Sequence, residues 1–137
     1  MKCLTLLTVY FSLLIASVST SYAVTWHSAN QATVAWNAVT TADDGTPIDP
    51  AQIRYRCYTK TPQGVQAELG QVTAPSYTVT LSDGQKIYFG AKTERVVNGV
   101  VESESTISWS DDAAVCLNGV TFGIKFFKGP GAPRDLR

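Results

Sequence analysis

Residues that could carry catalysis are few in this sequence. His27 is its single histidine, whereas a hydrolytic triad needs a histidine beside a nucleophile and an orienting acid, and a zinc site needs several His or Cys ligands. Glu102 and Glu104 alternate onto one face of an expected strand, but exposed charges that discourage edge-to-edge pairing explain them more simply. We therefore expect no enzyme activity, no catalytic residue and no cofactor.

Asp43, Asp44 and Gly45 place two carboxylates beside a glycine, as calcium loops do. The ligand spacing of an EF-hand is missing, and Asp-Gly in a polar stretch is typical of an ordinary turn. Phosphate-binding glycine patterns and the G-x-S-x-G motif are missing from the sequence as well. We expect no metal site.

Outward-facing aromatic side chains are a better functional signal. Tyr58, Tyr88 and Trp109 occupy outward positions of expected strands, and Arg56 shares that face. Solvent-facing Trp and Tyr often mark binding surfaces. The alternative is that these side chains only stabilise the sheet, through cross-strand aromatic and cation–π packing.

The composition is that of one globular domain. The chain has 137 residues, with 11 basic and 11 acidic side chains and a net charge of zero. A neutral chain lacks the charge that dominates affinity for nucleic acid. Nucleic acid is therefore not an expected partner.

Residues 1–23 read as a signal peptide. Lys2 precedes an apolar run from Leu4 to Val18, and Ser21-Tyr22-Ala23 supplies small residues before a cleavage site after Ala23. The run is shorter than the roughly 20 residues of a membrane span, although an uncleaved anchor is the alternative. We predict a secreted, periplasmic or cell-surface protein with no membrane span after cleavage.

Two cysteines, Cys57 and Cys116, follow the predicted leader. An even pair in an exported protein favours a disulfide. The alternative is a buried free thiol at Cys57, which shares the inward register of Ile53 and Tyr55.

The pattern of the chain predicts an all-β fold. From Leu81 to Trp109 it reads as a long hairpin, with Asn98-Gly99 as a type I′ turn between two β-prone runs. About seven strands at this spacing predict two sheets packed face to face. The expected core comprises Trp36, Ile53, Tyr55, Val79, Leu81, Ile87, Phe89 and Ile107.

Three segments resemble the fibronectin type III family. They are Val34-Ala35-Trp36, the run Ile53 to Tyr58, and Leu81-x-x-Gly84-x-x-Ile87-Tyr88-Phe89-Gly90-Ala91, which resembles the run into that family's sixth strand. The resemblance covers Val24 to about Ser110 and implies an immunoglobulin-like β-sandwich, assigned to residues 24–112. It also implies a non-enzymatic recognition or spacer module that binds through loops at one end, here Val39–Pro50 and Val96–Val100.

The C-terminal residues 113–137 lie beyond the resemblance. Asn118-Gly119 is a second hairpin signal, and Val120 to Phe126 alternates as a strand with one apolar face. This extra hairpin or strand must be covered, either by its own domain or by the sheet of a neighbouring molecule. A Gly/Pro tail follows it.

Two functions therefore stand as expectations. One is a secreted, non-enzymatic module that binds a protein or carbohydrate through the sandwich-end loops or the exposed aromatic face. The other is a structural subunit of a cell-surface or viral assembly, a homo-oligomer joined through the C-terminal strand.

Overall fold

The computed structural model describes residues 23–135, so residues 1–22 of the predicted signal peptide lie outside the described part. Strands dominate, joined by loops and two single 3-10 turns, which confirms the all-β prediction. The strands of the described residues, in chain order, are β1 (Thr25–Ser28), β2 (Gln31–Ala35), β3 (Ile53–Lys60), β4 (Gln66–Val72), β5 (Ser76–Thr80), β6 (Gln85–Val97), β7 (Val100–Glu104), β8 (Ser108–Trp109) and β9 (Phe122–Phe126).

Strand β6 is the centre of a seven-stranded sheet. On one side it pairs antiparallel with β3, and β4 follows β3. On the other side β7, β8 and β9 pair with it in turn, end to end. Strand β1 completes the sheet by pairing parallel to β9. The first and last strands of the domain are therefore neighbours.

The β6–β7 hairpin turns at Asn98 and Gly99, as the sequence predicts. Both residues have positive φ, 51° and 79°, which is what a type I′ turn requires. Asparagine tolerates this backbone and glycine adopts it freely.

Strands β2 and β5 form a separate two-stranded antiparallel sheet. Its apolar face packs on the large sheet, and the core between them contains Val79, Leu81, Ile87 and Ile124. Two layers that share one apolar core form a β-sandwich.

An aromatic cluster extends this core beyond the end of β2. The ring of Trp36 lies 5.2 Å from that of Tyr55 and 5.8 Å from that of Phe89. Ile107 was expected in the core, and that prediction is wrong. Together with Trp109 it contacts Gly90 on the other face of the large sheet, because residues 107 and 109 share one side of the pleat.

A loop interrupts the edge of the large sheet between β8 and β9. The amide of Ser110 donates to the carbonyl of Phe89 over 2.8 Å, and the amide of Phe122 donates to the carbonyl of Ser110 over 2.8 Å. The chain therefore leaves the edge after Ser110 and returns to it at Phe122. We call residues 111–121 the excursion loop.

The predicted second hairpin does not form. Asn118 and Gly119 have positive φ, 54° and 69°, but the segments that flank them in the excursion loop do not pair with each other. Strand β9 instead lies between β6 and β1 of its own chain. The Asn-Gly dipeptide determines the local turn. The position of β9 depends instead on its pairing with the first residues of β6.

Candidate functional site

The outer face of the large sheet, opposite the small sheet, carries two tryptophans that lie on glycines. The indole of Trp109 covers Gly90, and that of Trp26 covers Gly123, so that a Cβ added at either glycine comes within 2.5 Å of the ring. Glycine inside a strand often marks such a close approach. The sequence carried this signal, but Trp26 was not among the predicted surface residues.

Lysine side chains cover the predicted aromatic residues on this face. The Nζ atom of Lys60 lies 5.5 Å from the ring centroid of Tyr88 and 4.7 Å from that of Trp109. It also forms an ion pair with Asp111, at 2.8 Å. Tyr88 and Trp109 are thus brought together through one cation, an arrangement that stabilises the sheet.

Tyr58 and Arg56 belong to neighbouring clusters of the same face. The Nζ atom of Lys92 lies 6.0 Å from the Tyr58 ring and 2.6 Å from Glu104. That hydrogen bond to Glu104 is the main cause that raises the pKa of Lys92. The outward aromatics therefore have cations of their own chain over their rings.

Arg56 holds two carboxylates. Its Nε lies 2.6 Å from Glu94, which is 1% exposed, and its Nη1 lies 2.7 Å from Glu68. The hydrogen bond from Arg56 is the largest cause that lowers the pKa of Glu94, and Gln71 also donates to this carboxylate. These partners leave Arg56 engaged within its own sheet.

A groove lies between the C-terminal end of β2 and the edge of the large sheet at β8. Its volume is about 730 Å³, and it is partly open to solvent. Of the described residues that line it, Lys92 is the one with a charge, and its ammonium is bound to Glu104. Further lining residues include Val34, Trp36, Tyr55, Phe89, Cys116 and Phe122.

One wall of this groove is the C-terminal end of β2, Val34 and Ala35, and the edge of this strand is free. The amide of Trp36 donates to the carbonyl of Pro75, and the carbonyl of Asn30 accepts from Leu81, so even-numbered residues of β2 bond to β5. In an antiparallel pair the intervening residues point their amides and carbonyls the other way. Those of Gln31, Thr33 and Ala35 therefore face outward, and no described strand pairs with them.

Trp36, which lines the groove, has an unsatisfied donor. The Nε1 atom of Trp36 is buried and has no hydrogen-bond partner among the described residues. A buried donor without an acceptor costs about 1–3 kcal/mol. An acceptor that reached this nitrogen would therefore be stabilising.

The excursion loop also lines the groove, through residues 115–118, and exposes apolar side chains. Leu117 is 84% exposed, and Val115 and Val120 are more than half exposed. Such a cluster beside a groove is typical of an interaction surface.

The predicted disulfide is not present. Cys57 and Cys116 are both free thiols. Cys57 is fully buried between the sheets, where burial raises its pKa to about 11. Cys116 lies on the excursion loop, and its thiol donates to the carbonyl of Ser110 over 3.3 Å. Cys57 lies on β3 and Cys116 on the excursion loop. The even number of cysteines after the predicted leader was therefore a misleading sign of a disulfide.

The other sequence candidates lie apart. His27 is exposed on β1, with its ring 6.1 Å from that of Phe122. Asp44 accepts from the amide of Thr46, which lowers its pKa, as in an ordinary polar turn. In residues 23–135 no three His, Cys, Asp or Glu side chains are grouped so as to hold a metal ion.

The two loops predicted to bind at one end of the sandwich do share an end. Ile53 at the start of β3 pairs with Arg95 near the end of β6, and the Nε of Arg95 donates to Gln52 over 2.9 Å. The amide of Val39 donates to the hydroxyl of Tyr55 and ties the first loop to β3.

Comparison with protein-family models, with curated proteins and with solved structures finds no match. The described residues contain no helix that is long and apolar enough to span a membrane.

Proposed function

We propose that this chain is a secreted, non-enzymatic recognition module, and that it binds an extended, uncharged segment of a partner protein along the free edge of β2. The observation that carries the proposal is that edge, which meets a largely apolar groove at Val34 and Ala35. An extended peptide can add to such an edge through main-chain hydrogen bonds, while pockets beside the edge select its side chains.

The charge of the site favours an uncharged segment. Strand β2 reads Gln-Ala-Thr-Val-Ala, without a charged residue, and the ammonium of Lys92 is engaged elsewhere. A charged side chain placed in this groove would lose its hydration without gaining a counter-ion. Alternating apolar and small polar side chains fit the groove and the solvent side, respectively.

The proposed fold is a fibronectin type III-like variant of the immunoglobulin sandwich. Strands β2 and β5 lie in one sheet and β3 and β6 in the other, which matches the division of strands in immunoglobulin-like domains. In that arrangement the first strand joins the sheet of the second. Here β1 pairs with β9 instead, and the place beside β2 stays open.

The alternatives receive less support. The outer aromatic face, a candidate glycan site, has lysines over its rings, which a sugar ring would have to displace. Assembly through the C-terminal strand would require β9 to give up β1 or β6, since both of its edges are paired. A spacer role is compatible with the same fold but uses neither the groove nor the edge.

A capped peptide with the sequence of Ser76–Leu81 is the probe, because residues 76–80 already pair with β2 on its other side. It is added to residues 24–137, a chain that includes every described strand. We expect the amide resonances of Thr33 and Ala35 to shift in nuclear magnetic resonance spectra, and their hydrogen exchange to slow.

Two substitutions at one position isolate the edge. Thr33→Pro removes an outward amide without touching the bonds to β5, and proline is tolerated where the amide faces solvent. Thr33→Ala keeps the amide and loses the same hydroxyl. Binding should survive in T33A and vanish in T33P; equal binding by both variants contradicts the proposal.

A further inference from the structure

We infer that the partner strand is β2 of a second copy of this chain, and that two copies pair antiparallel about a two-fold axis through Thr33. This inference rests on the proposed function and names the partner of the same edge. It assigns the chain a homotypic contact through β2, distinct from any contact through β9.

The edges of the described sheets differ in how well they are protected against pairing. Strand β4 carries Glu68 and has a bulge at Leu69, since Cys57 pairs with Gly70 and the next residue pairs with Glu68. Bulges and charges are what natural sheets use to block edge-to-edge contact. The edge of β4 is therefore closed to a second copy.

The remaining edges are short or lie away from the groove. In β1 the amides of Thr25 and the following Ala29 bond towards β9, so Trp26 and Ser28 alone point outward. The outer side of β5 has no strand paired with it among the described residues, but no residue of β5 lines the groove. Strands β2 and β5 both lack a charge, a proline and a bulge over their five residues, but of the two only β2 lines the groove.

The sequence of β2 is complementary to itself in this register. Thr33 lies opposite Thr33 of the second copy, and Gln31 lies opposite Ala35. Each of these pairs can exchange two backbone hydrogen bonds, about six in all. No like charges meet in this register. The second copy therefore offers the uncharged segment that the groove favours.

The side chains on the solvent face add to the pairing. The hydroxyl oxygens of Thr33 and Thr78 lie 2.8 Å apart across the small sheet. Pairing about Thr33 continues this row into the second copy, and cross-strand threonine pairs are favourable. The result is one four-stranded sheet in place of two two-stranded ones.

The apolar rim supplies further contact area. Strand pairing alone is small against the roughly 1,200 Å² that stable interfaces bury. The exposed Val115 and Leu117 of each excursion loop lie beside the edge that pairs, so the contact of two copies covers them as well. We expect a weak dimer that is populated at high protein concentration.

The first test is the mass of residues 24–137 by light scattering up to millimolar concentration. We expect the mass to approach that of a dimer for the wild-type chain and for T33A, and to stay that of a monomer for T33P. Circular dichroism and thermal unfolding establish that each variant is folded. A dimer that T33P leaves intact overturns the inference.

The second test uses charge at the symmetry axis. Thr33→Lys and Thr33→Glu each place like charges opposite one another in the dimer, whereas an equal mixture places opposite charges there. We expect each variant alone to be monomeric and the mixture to associate roughly tenfold more tightly than either. A mixture that associates no better than its components overturns the two-fold register.

Different results contradict the proposed peptide binding and the proposed dimer. A wild-type chain that stays monomeric at millimolar concentration, yet binds the Ser76–Leu81 peptide at Thr33 and Ala35, overturns the second copy as partner and leaves the proposed function standing. A chain that neither dimerises nor binds the peptide overturns both.

Discussion

The indole ring of Trp109 lies directly on the backbone of Gly90, in the middle of β6. A methyl group at residue 90 would come within 2.5 Å of a ring carbon and within 2.9 Å of Ile107. We expect Gly90→Ala to destabilise the domain by about 1–3 kcal/mol, the usual cost of overpacking. Urea unfolding followed by tryptophan fluorescence measures this. Gly129→Ala is the matched control, since nothing lies within 4 Å of that position; equal effects of the two changes refute the close contact.

Lys86 and Lys125 lie directly opposite one another on β6 and β9. The ion pairs of the described residues do not include either lysine. Like charges in this position are destabilising, and an opposite pair is favourable by about 0.2–1 kcal/mol. We expect Lys125→Glu to raise the free energy of unfolding, more at low salt than at high salt. Lys128→Glu, the same charge change just beyond β9, should give no such gain.

Glu94 makes the stability of the domain depend on pH. Because its pKa in the folded state is lowered, chiefly by Arg56, its ionised form stabilises the fold at pH values above the ordinary 4.5. That contribution is lost as the pH falls through the lowered value. We expect Glu94→Gln to cost about 1–3 kcal/mol at neutral pH and the difference from wild type to shrink in acid. Glu102→Gln, the same change at an exposed residue of β7, is the control and should alter the free energy of unfolding little at neutral pH.

The two cysteines should react as free thiols of unequal access. In residues 24–137, we expect thiol titration of the denatured, unreduced protein to find both. Burial raises the pKa of both thiols, but in the native protein Cys116 should react first, because it is partly exposed whereas Cys57 has no exposed surface. If the denatured, unreduced chain has no titratable thiol, the two cysteines form the disulfide that the sequence predicted.

The dipeptide Asn-Gly, which occurs twice, shows how much of the fold could be predicted from the sequence. Asn98-Gly99 and Asn118-Gly119 both adopt positive φ, so the local turn is readable in each case. Only the first lies between two runs that pair with each other. Which strand takes the open end of β6 depends on contacts between distant parts of the chain, and no local pattern encodes it.

The binding surfaces show the same limit. The outward positions of Tyr58, Tyr88 and Trp109 follow from strand alternation. Trp26 was missed because it enters the surface through the parallel pairing of β1 with β9, which joins the two ends of the domain. The groove was missed for a related reason. Strand β1 pairs with β9 and β2 pairs with β5 alone among the described strands, and the sequence of β2 does not reveal which of its edges is paired.

The hydrogen bond from the amide of Phe122 to the carbonyl of Ser110 holds the two ends of the excursion loop together at the edge of the large sheet. The cost of closing a flexible loop rises by only about 0.6 kcal/mol when its length doubles. Asp111 pairs with Lys60, and Thr121 is buried and bonds to Thr25, so residues 112–120 are the part that can be exchanged or lengthened while β8 and β9 keep their places on β6. Because residues 115–118 line the groove, new sequences grafted there offer a way to change its surface without redesigning the sandwich.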